Sequence, residues 1–259
     1  MFSKTLKVTV SLLLAVLLLA GCGSTGTTQP QPTSAPTEGE TQPEITAAPT
    51  EAATEPEATP APTEEETQPA ERPLALGILD GYTYTNAYTG YGCTLDDTWT
   101  IRSTEELQGV TGDIKDQLAG TQIEEFMDDY PQILDFSAVC AETLCTFNVN
   151  YTALSLKDRV QYALLSEEDI ADMLLANMDL MVDTYKQMGI EVISMEQVKV
   201  TFLNEERFAV KTYAVTEGID YYMLQLMDYH LGSYGVVLTA ASYLVDNTQS
   251  VLDLFYAVD

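Results

Sequence analysis

The chain has 259 residues, of which 40 are acidic and 11 are basic, so its formal net charge at pH 7 is −29. This charge repels polyanions, and we therefore expect neither a nucleic-acid partner nor direct adhesion to bare anionic lipid. The single histidine and the four cysteines show no CxxC-like spacing, so no zinc site or other cofactor site is predicted.

The N-terminus predicts export. Two lysines precede an apolar run over residues 8–20, which is too short to cross a bilayer. The run ends in Leu19-Ala20-Gly21-Cys22, which resembles the lipobox of bacterial lipoproteins. We predict a signal peptide over residues 1–21 and a lipid anchor at Cys22, with acyl chains such as palmitate. The protein would then lie at the outer face of the cytoplasmic membrane of a Gram-positive bacterium; a plain signal peptide with a chance cysteine is the alternative.

Residues 22–73 have a different composition. Ten of the eleven prolines lie between Pro30 and Pro73, among Thr, Gln and Glu, and Ile45 is the only large aliphatic residue there. So few apolar side chains cannot offset the entropy of ordering, and we predict a disordered tether. About fifty residues would span about 40 Å as a coil and about 155 Å as polyproline II. Residues 74–259 remain as a single domain.

The domain opens with dense aromatic residues. Tyr82 and Tyr84 alternate with threonines, turn residues occupy 86–90, and a second alternation begins at Tyr91. This period of two predicts a hairpin. The competing interpretation is a platform on which sugars stack, with Tyr88 in the turn as its most exposed residue. We favour the hairpin, with Trp99 closing the core beside it.

The sequence in the middle of the domain predicts helical residues followed by a second hairpin. Ser103 and Glu106 have capping-box spacing, and a short helix is predicted over 122–130. In two segments, 136–140 and 145–151, every second residue is apolar. Pairing these segments as a hairpin places Cys140 opposite Cys145. A disulfide is geometrically possible there, but two reduced, buried thiols are favoured because so short a loop gains little from closure.

The last part of the domain predicts a long helix followed by a sheet. The helix runs from its cap at Ser166 to Gly189, with methionines on a core-facing stripe. Four strands follow as an antiparallel meander, and Asp246 opens a final helix. The predicted strands are 197–203, 207–215, 220–230 and 234–242. The fold class is therefore α+β, with helices packed on an antiparallel meander.

The segment YTNAYTGYGCTLDDTW resembles the entry of PsbP-like domains, in which a Gly-Tyr strand leads to a Pro-x-x-Trp motif. The matching residues are Tyr84, Gly90, Tyr91, Leu95 and Trp99, whereas Asp96 stands where the family has proline. The order of predicted elements is similar as well. The resemblance covers residues 76–259 in outline and implies an α/β/α sandwich and a role as an adaptor for other proteins. The chain also resembles uncharacterised lipoproteins of Gram-positive gut bacteria.

No catalytic motif is present. His230, at the end of a predicted strand, is interpreted as a surface residue, and the adjacent acids such as Asp96-Asp97 lack calcium-loop spacing. We predict a non-enzymatic binding or adaptor module for a protein or cell-wall partner. The alternative is a hydrolase of envelope polymers that uses paired carboxylates. A solute receptor is disfavoured, because the domain is too short for two lobes and a cleft.

Overall fold

The computed structural model describes residues 74–103, 105–109, 132–176, 178–229 and 231–258. The predicted signal peptide, Cys22, the tether, the helix over 122–130 and His230 lie outside these residues. No helix in the described part is both long and apolar enough to cross a membrane.

The described residues are mostly in strands. The strands are β1 Ile78–Asp80, β2 Thr83–Asn86, β3 Tyr91–Thr94, β4 Trp99–Ile101, β5 Gln132–Cys140, β6 Cys145–Ala153, β7 Ile190–Phe202, β8 Glu205–Thr216, β9 Ile219–Asp228, β10 Tyr234–Tyr243 and β11 Phe255–Ala257. The helices are α1 Leu156–Tyr162, α2 Glu167–Leu175, α3 Met178–Gln187 and α4 Thr248–Leu252. Residues 105–109 are also helical.

The strands form two antiparallel sheets. The larger has the order β4-β5-β6-β10-β9-β8-β7, and the smaller has the order β1-β2-β3-β11. The sequential neighbours β7 to β10 form the predicted meander. The predicted first hairpin is the pair of β2 and β3, and its strand ends before Asp96 as expected.

Each face of the large sheet has its own apolar core. One core joins β2, β3 and β11 to the large sheet and contains Tyr84, Phe147 and Phe255. The other joins α2 and α3 to the opposite face and contains Leu174 and Met181. The mixed α and β content with antiparallel sheets is thus confirmed. The α/β/α sandwich is not confirmed, because a second sheet and the short α4 cover the first face in the described part.

Several predicted helices differ from the structure. The helix predicted between Ser166 and Gly189 is two helices, because α2 ends with Ala176 as its C-cap before α3 begins. Helix α1 was not predicted, although Ser155 and Asp158 carry the spacing of a capping box. The final helix stops at Leu252, and the chain then joins the small sheet as β11 opposite β3.

Candidate functional site

Helix α1 presents apolar side chains to solvent. Leu156 and Val160 are 65% and 60% exposed, and Leu164, just after the helix, is 82% exposed. Their spacing of four residues places them along one side of the helical turn. We call these three residues the α1 stripe. An aligned apolar surface of this kind on a small, strongly charged domain is typical of an interaction site.

The opposite side of α1 holds the helix in place. The Asp158 carboxylate accepts hydrogen bonds from the N–H of Ser155 at 3.3 Å and from its hydroxyl at 2.5 Å. The Ser155 hydroxyl in turn accepts the Asp158 N–H at 3.3 Å. Tyr162 is buried, and its ring centroid lies 4.7 Å from that of Tyr229. Because Asp158 and Tyr162 face inward, the α1 stripe is directed away from the core.

A row of polar side chains crosses four neighbouring strands of the large sheet. Cross-strand pairing places Ser137 opposite Asn148, Asn148 opposite Thr239, and Thr239 opposite Gln225. All four are at most 1% exposed, and Gln225 Nε2 donates to Thr239 Oγ1 at 3.3 Å. The row can donate and accept hydrogen bonds, but it holds no group that exchanges a proton near neutral pH. It is therefore suited to packing and internal hydrogen bonding rather than to acid–base catalysis.

Sequence reasoning missed this row for a physical reason. In β6 the apolar residues alternate with Thr146, Asn148, Asn150 and Thr152, which is the pattern of a strand with one solvent-facing side. The structure buries both faces of β6, and each face of the large sheet carries its own apolar core. No local signal distinguishes a buried polar face from a solvated one.

A second polar cluster lies between the sheets, at a bulge in β5. The register of β5 against β6 shifts between Leu134 and Phe136, so Asp135 is the extra residue. Its carboxylate accepts the Tyr84 hydroxyl at 2.7 Å, Asn86 Nδ2 at 2.8 Å and the Gly77 N–H at 3.0 Å. Asn86 Nδ2 also lies 2.5 Å from the Tyr151 hydroxyl.

This Asp135 cluster is arranged for structure rather than for proton transfer. Burial, and then the neighbouring Tyr91 and Asp135, raise the pKa of Tyr84 far above its ordinary value of 10.0. Tyr84 therefore stays protonated and acts as a hydrogen-bond donor at every physiological pH. The Tyr84 hydroxyl and the Gly77 N–H both donate to the Asp135 carboxylate. These two hydrogen bonds connect the start of the domain to the large sheet.

The acidic residues Asp96, Glu167 and Asp169 serve local structure, whereas the adjacent acids Asp128-Asp129 lie outside the described residues. Asp96 accepts the Thr98 N–H at 3.0 Å, and Asp169 accepts the Ser166 N–H at 2.9 Å in a capping box. Glu167 forms an ion pair with Arg207 at 2.5 Å. Within the described ranges, no group of three or more potential metal-ligating side chains is present.

The aromatic residues of the first hairpin are mainly core residues. Tyr84 and Tyr88 are each 1% exposed, so the prediction that Tyr88 is the exposed residue of the turn is wrong. Its hydroxyl instead accepts the backbone N–H of Tyr234 at 3.2 Å. Tyr82, at 46%, is the exposed tyrosine of this hairpin. Trp99 is buried as predicted, and it lies in strand β4.

One further prediction about the core is confirmed, and a second one is confirmed in part. Cys140 pairs with Cys145 in the β5–β6 register, and both are buried, free thiols. The methionine stripe faces the core at Met181 and Met173, whereas Met178 is 37% exposed.

No protein-family model matches the chain. No curated protein matches it either. Among solved structures, it is similar to the solution structure of cyanobacterial PsbP (CyanoP) from Synechocystis sp. PCC 6803. The two share 10% sequence identity with a TM-score of 0.35, over 71% of this chain and 94% of that chain. This neighbour is of the PsbP type that the sequence pattern resembles, but the two chain traces diverge widely and no function follows from the likeness.

Proposed function

We propose that this chain is a membrane-anchored, non-enzymatic binding module that docks a protein partner through the α1 stripe. In this proposal Cys22 carries the lipid, and the tether over residues 22–73 sets how far the domain reaches from the membrane. The adaptor role matches the role implied by the resemblance to PsbP-like domains.

The α1 stripe is the observation that supports the proposal. Fully burying an aliphatic side chain contributes about 1.5–3 kcal/mol, and the three residues of the stripe keep more than half of their surface exposed. Covering them would contribute a few kcal/mol, which is enough for a weak contact but not for a tight one. A reversible adaptor contact of modest area fits this magnitude.

The charge of the domain argues for a protein partner over a lipid surface. Residues 74–259 contain thirty acidic and eight basic side chains. A surface of anionic lipid would be repelled, whereas a protein partner can present basic residues around an apolar centre. A cell-wall partner is the second possibility.

The test compares two double variants of the full-length protein in its native membrane. Leu156→Glu with Leu164→Glu changes the α1 stripe, and Ile193→Glu with Ile219→Glu changes two other exposed aliphatic positions. Cross-linking followed by quantitative mass spectrometry measures partner recovery. We expect the α1 variant to lose one defined partner while the control retains it, with unchanged melting temperatures because all four positions are exposed.

Equal recovery of partners by both variants would contradict the proposal. The hydrolase alternative is tested with the same proteins on purified envelope polymers, by measuring release of soluble fragments. Release by the wild-type protein would favour the enzyme over the binding module.

A further inference from the structure

Strand β7 forms a long open edge of the large sheet. The other edge strands, β1, β4 and β11, have three residues each, whereas β7 has thirteen and lies last in the strand order. No strand in the described part of the chain pairs with its outer side. Proteins usually keep edge strands short or block them, because an open edge offers unpaired N–H and C=O groups to another chain. Strand β7 therefore has the form of a site for strand addition.

The pairing with β8 shows which backbone groups of β7 face outward. Lys199 lies opposite Phe208, and the Phe208 N–H donates to the Glu167 carboxylate at 3.3 Å rather than to Lys199. The two residues are therefore a non-hydrogen-bonded pair, in which the backbone groups of each residue point away from the other. The N–H and C=O of Lys199 thus face the open side. Those of Gln197 face the same side, because the backbone direction of a strand repeats every two residues.

The open stretch of β7 is bounded at both ends. At one end the register against β8 shifts at Ile193, which is the extra residue of a bulge and interrupts regular pairing. At the other end the carbonyl of Thr201 already accepts a hydrogen bond from Gln249 Nε2 at 2.8 Å. Residues 196–200 remain between these limits, which is enough for a short extended segment.

The lysine on this edge does not obstruct the open side. Edge lysines often prevent strand addition, because their charge would have to be covered by the incoming chain. The Lys199 ammonium is instead turned back over β8, where it lies 2.6 Å from Glu206 Oε1 and 5.1 Å from the centre of the Phe208 ring. Its charge is balanced there, and the outward backbone groups stay accessible.

The charge around the open stretch favours a basic partner. Glu191 and Glu196 are exposed residues of β7, and within the described ranges neither forms an ion pair. Lys211 lies opposite Glu196, but its ammonium is paired with Asp246. Residues 74–259 contain thirty acidic and eight basic side chains, so a second copy of this domain would be repelled from the edge. A segment with lysine or arginine residues is attracted to it.

We propose that β7 binds an extended, basic segment of a protein partner, which adds to the large sheet as a further strand. Its backbone bonds the outward N–H and C=O groups of Gln197 and Lys199. Its basic side chains lie beside Glu196, and its small β-branched side chains lie beside Val198 and Val200, which are half-buried on the same face of β7. This surface shares no residue with the α1 stripe, so the failure of either proposal leaves the other standing.

The test titrates the full-length protein with the peptide acetyl-Lys-Thr-Val-Thr-Val-Thr-Lys-amide in an isothermal calorimeter. When extended, this peptide has its lysines and valines on one face and its threonines on the other. One control peptide has glutamate in place of both lysines, and the other carries N-methyl groups on its three central residues. We expect saturable binding of the first peptide and at least tenfold weaker binding of each control. The first control reverses the charge, and the second lacks the central N–H donors.

Two substitutions at Gln197 assign the binding to β7. Gln197→Pro removes the outward N–H and places a ring at the open side, without removing a hydrogen bond to β8. Gln197→Ala keeps this N–H and loses the same side-chain contact with the Glu168 carbonyl. We expect at least tenfold weaker peptide binding by Gln197→Pro and unchanged binding by Gln197→Ala. Circular dichroism checks that both variants are folded.

Glu196→Lys tests the charge of the site without changing the backbone. Its matched control is Glu142→Lys, in the turn between β5 and β6, which changes the net charge of the protein by the same amount. We expect Glu196→Lys to weaken binding of the lysine peptide at least threefold at low ionic strength and Glu142→Lys to have little effect. Added salt should reduce the difference, because it screens exposed charges.

Four results would overturn the proposal. They are no saturable binding of the lysine peptide, equal binding of its N-methylated form, equal affinity of Gln197→Pro and Gln197→Ala, and equal effects of Glu196→Lys and Glu142→Lys. Sedimentation of the wild-type protein tests the competing occupant. A dimer that is lost in Gln197→Pro would assign the edge to a second copy of this chain and would overturn the proposal as well.

Discussion

The Tyr84 hydroxyl donates a 2.7 Å hydrogen bond to Asp135, which lies 51 positions further along the chain. Tyr84 belongs to the small sheet and Asp135 to the bulge in β5 of the large sheet, so this bond joins the two sheets. The Tyr84 ring also stacks on Phe136 with centroids 4.3 Å apart. Apolar packing and a charge-assisted hydrogen bond therefore act at the same place.

Tyr84→Phe separates these two contributions. The phenylalanine ring keeps the stack on Phe136 and loses only the hydroxyl, which donates to Asp135 and accepts a hydrogen bond from Asn86 Nδ2 at 2.9 Å. We expect the free energy of unfolding to fall by about 1.5–3 kcal/mol, the range for hydrogen bonds to charged groups. Urea unfolding measures the change. Tyr82→Phe, at an exposed tyrosine of the same hairpin, is the control, and an equal effect of both substitutions would contradict the role assigned to Asp135.

Trp99 provides a fluorescence test of the core. It is 9% exposed, and its ring centroid lies 5.4 Å from that of Phe147 in a T-shaped contact. We expect blue-shifted emission in the native state, little quenching by iodide, and a loss of about 3–5 kcal/mol of stability in Trp99→Ala. A solvent-like emission maximum would place this residue at the surface and restore the sugar-platform interpretation.

The three cysteines of the domain are expected to be reduced and protected. Cys93, Cys140 and Cys145 are free and buried, and this burial limits the access of a reagent. Burial raises the pKa of the Cys93 thiol to about 12 and also raises the pKa of Cys145, whereas for Cys140 hydrogen bonds with Thr143 and Thr98 outweigh burial and lower the pKa. A Cys22→Ser protein should therefore react slowly with a thiol reagent when native and should titrate three thiols when unfolded. A count of one thiol after unfolding would indicate that Cys140 and Cys145 form a disulfide.

The ionisation of Asp246 is expected to make the stability of the folded protein depend on pH. Burial by itself would raise the pKa of Asp246, but hydrogen bonds from Lys211 and Thr248 outweigh it, and the pKa lies below the ordinary value of 3.8. A lowered pKa in the folded state stabilises the protein above the unfolded pKa, and this contribution is lost as the pH falls through the folded value.

Asp246→Asn should consequently destabilise the protein at pH 7 and have progressively less effect below pH 3.8. Thermal unfolding of both proteins across this range measures the difference. Asp179→Asn, at an exposed position of α3, serves as the control. If the stability difference between the wild type and Asp246→Asn grew as the pH fell, the lowered pKa of Asp246 would be contradicted.

The proposed lipid anchor predicts a change of location. Cys22→Ser should be released into the medium or remain unprocessed, because the residue that accepts the lipid is absent. Fractionation and intact mass of the protein from its native host measure both outcomes. Membrane association with unchanged cleavage and lipid mass in Cys22→Ser would exclude Cys22 as the anchor.

Patterns in the sequence predicted the local features that depend on neighbouring residues. Period-two alternation predicted the four meander strands, and the spacing of Cys140 and Cys145 predicted their cross-strand pairing. Capping boxes at Ser103 and Ser166 predicted where helical residues begin. Each of these signals involves side chains that interact across a few residues, so the sequence displays them directly.

Which faces are covered depends on contacts that form only in the folded chain. Tyr88 is buried, and its hydroxyl contacts the backbone of Tyr234, 146 residues away. The polar side of β6 is buried although its residues alternate as in a strand with one solvent-facing side. The α1 stripe remains exposed although its residues are as apolar as those of the core. Burial depends on contacts between segments that are far apart in the sequence. The spacing of neighbouring residues does not show which of these contacts form.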